Sequence, residues 1–520
     1  METGRLPKEY VALAGRSLLG RGAWLSAILV GVLGGLAATV VGPLFLIVGL
    51  ISAAVLLAIL AKGYRLFWAY LLFILFGYLL LGKGFAYIGV APIYVAEIGL
   101  GLAVGSALTM LLTNRLKTVA PFFRLEVVFL LLFVAWQTWC TIPYVNTYGQ
   151  DALRDAALWG YAAFALLILL LIPRESVDKL SLIYGRVLPY ALAWLLAAWG
   201  LTRVFSFGIF FPGSPVPLIY LKPGDVGVHL AGAAAFMLLR LDRRGVEWSD
   251  RKLWLLWGLW VADWAVWGVS NRAGMLSALI GIAVVLLLRP NTKWYRPVVV
   301  AGSLLTLLLV TNFSSPAFVN QYDPYQKEGS ISAQQIVENV TSTFGGGSSY
   351  TLNSTRDWRL RWWQKISGYT FGGEYFWTGK GYGINLANDD GFQTDLEYES
   401  LRNPHNVFMT ILARSGVPGL ALWALFLTSF GSTLVRKSLV KGGTDPWTTR
   451  YALWFLAYWL AFLFNGSLDV FLEGPMGGVW FWSLVGISLV YFTRDAGNSD
   501  TQELNKAHTG IAPLPRPARL

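Results

Sequence analysis

The sequence predicts an all-α membrane protein that crosses the bilayer many times. Three observations predict it. The 520 residues are 55% hydrophobic and only 13% charged, against about 25% charged in soluble domains. Apolar runs of ~18 or more residues recur along most of the length, enough for a helix to span the hydrocarbon core. Mean hydropathy is +0.54. Basic residues gather in alternate loops, as they do when every second loop stays in the cytoplasm. A β-barrel does not fit, because barrel strands are much shorter and alternate. The single cysteine, Cys140, lies in an apolar run, so there is neither a disulfide framework nor a cysteine metal site. The net charge of +12 belongs to cytoplasmic loops rather than to nucleic-acid binding.

By the ~20-residue rule about 12–14 transmembrane helices are expected. Their centres fall near Val30, Ile51, Ile74, Val104, Phe133, Ala165, Trp194, Ala233, Leu259, Ile280, Leu305, Leu420, Leu456 and Leu484. The first run is not followed by a small-residue cleavage site and reads as a retained helix rather than a signal peptide. Residues 1–312 hold roughly eleven of these helices. Residues 313–404 form one large extracytoplasmic loop containing short helices. Residues 405–493 hold roughly three more spans, and 494–520 form a polar, Pro-rich, disordered cytoplasmic tail. No internal repeat is evident, which weighs against transporters built from two related halves.

Orientation follows from charge. Lys62 and Arg65, Arg115 to Arg124, Arg174 to Arg186, Arg240 to Lys252, Arg289 to Arg296 and Arg436 to Arg450 occupy alternate loops. Short basic loops remain inside. Both termini are therefore placed in the cytoplasm. The 313–404 segment and the loops near Gly84, Asn146, Pro212, Ser270 and Asp469 are placed outside.

Cations are scarce on the outer side, and a charge at membrane depth is costly and usually functional. Arg272 follows the tight turn Gly268-Val269-Ser270-Asn271. Ser270 or Asn271 is suited to cap the next helix, which puts Arg272 in its first turn. A cation there opposes the helix dipole unless an anion is present. A phosphate clamp answers this, with helix N–H groups beside a bidentate guanidinium. A snorkelling interfacial arginine is the alternative.

Within the large loop, Thr355-Arg356-Asp357-Trp358-Arg359-Leu360-Arg361-Trp362-Trp363 reads as a helix. Arg359, Trp362 and Trp363 share one face, with Arg356 a turn earlier. Cation beside aromatic surface suits a phosphate-linked sugar, and an amphipathic helix lying on lipid reads equally well. Gly379-Lys380-Gly381-Tyr382-Gly383 lacks P-loop spacing. Its glycines fit a structural turn that approaches a ligand or another segment.

Arg402-Asn403-Pro404-His405-Asn406 closes the polar segment and opens an apolar helix. Asn403 is suited to the N-cap and Pro404 to the first helical position, which places His405 in the first turn. The dipole there disfavours protonation and leaves a neutral imidazole, as general-base catalysis needs. An interfacial His with a structural hydrogen bond is the alternative. Ser415-Gly416-Val417-Pro418-Gly419 is expected to kink this helix and open a cavity. Glu97, Arg154, Asp155, Lys222, Asp225, Asp469 and Glu473 could line that cavity or make structural ion pairs. His229 reads as a helix-packing hydrogen bonder and His508 as solvated. The three histidines lack metal-ligand spacing, so no zinc site is expected.

These elements resemble the O-antigen ligase and Wzy-type polymerase superfamily of bacterial envelope glycosyltransferases. The likeness rests on many spans and a large loop before the last helices. It rests also on Ser270-Asn271-Arg272-Ala273-Gly274, the Trp358-Arg359-Leu360 and Gly379–Gly383 elements, Pro404-His405-Asn406 and Gly416-Val417-Pro418-Gly419. It covers roughly 270–419 well and the rest in layout. Asn271 stands where a serine usually precedes the arginine. The resemblance implies a GT-C-type fold, no metal or other cofactor, and a polyprenyl-diphosphate-linked glycan donor at the outer face of a bacterial inner membrane. It implies that Arg272 and Arg359 hold the diphosphate and that His405 activates the acceptor hydroxyl or orients the donor. Arg356, Asn403, Asn406, Trp363 and Lys222 are the further candidates for substrate binding. The acceptor is a lipid A–core in a ligase, a lipid-linked glycan in a polymerase and a protein in a third group. A flippase for lipid-linked glycans is the contrasting class.

Overall fold

A computed structural model of the chain describes residues 64–90, 93–113, 123–204, 209–210, 214, 216–268, 270–290, 292–314, 350–393, 401–439 and 446–493. It divides into two compact units. The first has described residues 64–72 and 99–113. The second has 73–98 and the described residues from 123 onward, and it carries everything discussed below.

The described chain is helical apart from the two-residue strands Gly89–Val90 and Ile93–Tyr94, which pair antiparallel. In order the helices are α1 (Tyr64–Leu81), α2 (Lys83–Ala86), α3 (Val95–Leu112), α4 (Leu125–Tyr148), α5 (Gln150–Gly160), α6 (Ala162–Leu171), α7 (Arg174–Asp178), α8 (Leu180–Val204), α9 (Pro223–Leu238), α10 (Asp250–Gly268), α11 (Arg272–Leu288) and α12 (Tyr295–Ser314). They continue with α13 (Tyr350–Phe371), α14 (Leu386–Asp389), α15 (Val407–Leu439), α16 (Pro446–Gly466) and α17 (Pro475–Thr493).

Six stretches among the described residues are long and apolar enough to cross a membrane. They are α1, α3, α4, Arg174–Thr202, α15 and the body of α17, with a seventh if α5 and α6, bent by 51°, form one broken span. This is the all-α polytopic membrane architecture that the sequence predicts. Helices also form around Ala233, Leu259, Ile280 and Leu456, but each is shorter or less apolar than a full span requires by that measure, and α12 runs through Leu305 for 20 residues. The physical reason is visible in α9, where every residue except Pro223 and His229 is buried. A helix wrapped by protein is read by glycine and alanine contacts rather than by lipid. The expected runs at Val30 and Ile51, most of the large loop and the 494–520 tail lie outside the described residues.

The packing of α9, α11 and α16 positions the site. A Cβ on Gly227 would meet the carbonyl of Gly274 at 2.0 Å, and one on Gly274 would meet that of Pro223 at 2.4 Å. The N-termini of α9 and α11 are thereby held side by side. α16 crosses both, with Trp454 donating to the Gly232 carbonyl at 2.9 Å. His229 meets the Tyr458 hydroxyl at 2.5 Å, the packing bond expected of it. The C-terminal half of the large loop folds as α13 and α14 around Trp362, Ile366, Leu386 and Ala387, which pack on Leu412 and Ala413 of α15.

Candidate functional site

His405 is not in the first turn of a helix. Its φ is 53°, a left-handed conformation that costs a non-glycine residue energy and concentrates at functional sites. The helix therefore cannot begin at Pro404, and α15 starts at Val407. Asn406, not Asn403, supplies the cap: its Oδ1 accepts from the N–H groups of Phe408 at 2.9 Å and Met409 at 3.2 Å. Asn403 instead accepts from Arg414 at 3.0 Å. The reversal of the chain at His405 turns the imidazole out of the helix and toward the loop after α16.

There its Nδ1 lies 3.2 Å from Oδ1 of Asp469. The pair is accessible, with side chains 26% and 23% exposed. Burial pushes the Asp469 carboxyl up, but the His405 bond and the charge of Lys222 outweigh it and hold the group below its usual range. The Val470 N–H also donates to it, at 2.8 Å. The Trp358 ring packs edge-on to the imidazole at 6.2 Å. Trp363 donates from Nε1 to the Pro404 carbonyl at 2.7 Å. Trp363 thus grips the backbone next to His405.

Arg359, one turn before Trp363, donates to the Leu468 carbonyl at 2.5 Å. Burial works against its charge and Asp469 favours it, and its pKa falls below the ordinary value. Its Nε is buried and has no hydrogen-bond partner among the described residues. Asn271 caps α11 through Gly274 N–H at 2.8 Å, so Arg272 occupies the first turn as the sequence predicts. The charges of Arg359 and Arg356 bear on Arg272. Three guanidiniums from two distant segments therefore lie within electrostatic reach of one another near the N-terminus of α11, with Arg356 also paired to Asp357 at 3.2 Å. Lys222 takes the position preceding α9 and acts electrostatically on Asp469.

Behind this cluster lies a second layer. Arg414 is fully buried, pairs with Asp155 at 2.9 Å and donates to the carbonyls of Gly381 and Ile384 at 3.3 Å. Arg402 shares Asp155 at 2.9 Å and donates to the Gly383 carbonyl at 2.8 Å. One carboxylate in the middle of α5 therefore ties down both flanks of Pro404-His405. Glu97 bonds the Tyr161 hydroxyl at 3.0 Å. Asp155 and Glu97 are thus structural partners.

α15 does break at Gly416, where φ is 68° and ψ is −171°. The glycine segment packs into the break. Lys380 and Gly381 N–H groups bond the carbonyls of Ala413 and Arg414 at 2.7 and 3.1 Å, and Val417 N–H bonds that of Phe376 at 2.7 Å. Gly379, also left-handed, would place a Cβ 2.5 Å from the Arg414 backbone. Backbone groups freed by a kink must find partners at membrane depth, and the loop provides them.

The structure thus brings His405, Arg272, Arg356, Arg359 and Lys222 toward one end of the bundle, assigns Trp363 and Asn406 to holding His405 in place, and sets Asn403 behind it. Two residues central to the arrangement had weaker signals. Asp469 is one of several acidic residues in outer loops, and nothing local marks it. Arg414 is an arginine inside an apolar run, which membrane energetics alone flags. Among the described residues no group of three or more His, Cys, Asp or Glu side chains is placed to hold a metal ion.

No curated protein matches the chain in sequence. A family model described as O-antigen ligase matches residues 257–424. That stretch runs from α10 into α15 and contains Arg272, Arg356, Arg359, His405 and the Gly416 break. Over that segment the chain is similar to the O-antigen ligase family.

Proposed function

We propose that the protein transfers a glycan from a polyprenyl-diphosphate donor to a hydroxyl acceptor at the outer face of a bacterial inner membrane. The observation that carries this reading is the His405–Asp469 pair beside three converging arginines. With Nδ1–H engaged by Asp469, Nε2 keeps its lone pair. The acceptor oxygen attacks the anomeric carbon while its proton passes to Nε2, and the bond from that carbon to the diphosphate oxygen breaks. Negative charge grows on the leaving diphosphate, where Arg272, Arg356 and Arg359 stabilise it. Lys222, whose charge acts on Asp469, is a further candidate for holding substrate. Trp363 acts by holding the Pro404 carbonyl rather than by stacking on sugar. No metal or other cofactor has a role in this scheme.

The acceptor is a lipid A–core or a second lipid-linked glycan. The deciding experiment incubates purified protein with a defined polyprenyl-diphosphate glycan and, in turn, a lipid A–core, a second lipid-linked glycan and a serine- or threonine-bearing protein. Transfer to either of the first two supports the reading. Transfer to protein alone would make it a protein glycosyltransferase. Movement of the donor across proteoliposomes without transfer would replace it with a flippase.

A further inference from the structure

The end of the bundle opposite His405 carries a second cationic cluster that the reaction does not use. α9 runs for 16 residues from the site, about 24 Å along its axis. Arg240 and the 3-10 turn Leu241–Arg244 follow it. Arg289 terminates α11, and Arg450 is the fifth residue of α16, whose first turn has no acidic residue. Because α9, α11 and α16 pack on one another, these three termini adjoin. Arg450 donates to the Leu239 carbonyl at 3.3 Å, which pins its guanidinium against the last turn of α9. The positive charges of Arg243, Arg289 and Arg240 all bear on it.

Three nearby carboxylates are already committed. Asp242 binds Arg240 at 3.0 Å, Asp250 binds Arg296 at 2.8 Å and Asp178 faces Arg244 at 3.5 Å. No ion pair joins Arg243, Arg289 or Arg450 to a carboxylate among the described residues. Arg243 and Arg289 are exposed. Residues 440–445 contribute Lys441 and Asp445 and leave the charge balance unchanged. Arg289 alone is explained by the helix dipole, which favours a cation at a C-terminus. Arg450 is not, because it is a cation at an N-terminus, set among others.

We propose that Arg243, Arg289 and Arg450 form a binding site for the phosphate of an anionic membrane-lipid head group, at the end of the bundle remote from the transfer site. Guanidiniums meet phosphate oxygens in bidentate geometry. Basic recesses between helix ends on the cytoplasmic side take anionic lipids in this manner. A phosphodiester would relieve the repulsion among the three arginines and tie together the ends of α9, α11 and α16, whose other ends hold Lys222, Arg272 and Asp469.

Purified, delipidated full-length protein tests this by native mass spectrometry with phosphatidylglycerol, phosphatidylcholine and inorganic phosphate. The expected result is retention of phosphatidylglycerol over phosphatidylcholine. The combined Arg243→Gln, Arg289→Gln, Arg450→Gln variant should bind roughly ten-fold or more weakly. A charge-matched control, Lys179→Gln with Arg251→Gln and Lys252→Gln, changes three exposed cations elsewhere and should leave binding intact. Arg450→Lys keeps charge and loses the planar fork, so partial retention is expected if the triple variant is unstable. Equal loss in the control variant would reduce the effect to bulk charge. Unchanged binding in the triple variant, or full displacement by equimolar inorganic phosphate, would overturn the lipid site.

Discussion

His405 and Asp469, 64 residues apart in sequence, meet at 3.2 Å between Nδ1 and Oδ1. One belongs to the turn before α15 and the other to the turn after α16. The contact joins the large loop to the last membrane hairpin and sets which ring nitrogen is available to a substrate.

Removing each partner should therefore give distinct results. His405→Ala should lower turnover by ~10²–10⁴ with little change in donor affinity. The acid limb of the pH–rate profile should vanish in that variant. Asp469→Asn should lower turnover less and leave donor binding intact, since it misorients the ring without removing it. A His405→Ala profile that keeps its acid limb, together with weakened donor binding, would assign His405 to donor positioning instead.

Arg272→Ala and Arg359→Ala should each cost ~2–4 kcal/mol of transition-state stabilisation while folding normally. Arg272→Lys should rescue poorly, because a point charge does not replace a planar fork. Single-turnover assays beside thermal melts separate activity from folding. Alanine variants with near wild-type turnover would leave these arginines as interfacial anchors.

Glu473 gives a pH test of stability. Burial raises its carboxyl to about 7 from 4.5, with bonds from Thr410 and the Phe471 N–H opposing. A carboxyl raised in the folded state binds more protons folded than unfolded between those values. Stability should thus fall as pH rises through that window. Glu473→Gln imitates the protonated form, in which the side chain donates to Thr410 and accepts from Phe471. Melting temperatures from pH 4.5 to 7.5 should slope downward in the wild type from this group and flatten in the variant. Identical slopes would place Glu473 as an ordinary carboxylate.

Gly416 should tolerate no side chain. A Cβ would lie 2.4 Å from the Phe376 carbonyl oxygen and 2.5 Å from that of Trp377, on a left-handed backbone that costs L-residues roughly 1–2 kcal/mol. Gly416→Ala should release the 376–383 segment from α15 and expose it to protease. Unaltered cleavage kinetics would count against this docking.

Sidedness follows from basic-loop alternation. An impermeant thiol reagent on intact cells should label a cysteine replacing Ser348 and spare one replacing Ser438, in a Cys140→Ala background. The opposite pattern would invert the protein and discard an outer-face reaction.

The sequence by itself determined the membrane class, because apolar length and charge alternation are local properties that the bilayer reads directly. It also marked Arg272 at a capped helix start, the Arg359–Trp363 face and the Gly416 break, each set by near neighbours. It misplaced the start of α15 by three residues, from Pro404 to Val407, since only the packed loop stabilises the left-handed backbone at His405. The pairing of His405 with Asp469, the sharing of Asp155 by Arg402 and Arg414, and the filling of the break by the glycine segment were decided by tertiary structure. Those contacts join residues tens to hundreds of positions apart. No local propensity encodes them. They form because buried charges and freed backbone groups find no water at membrane depth and must find one another.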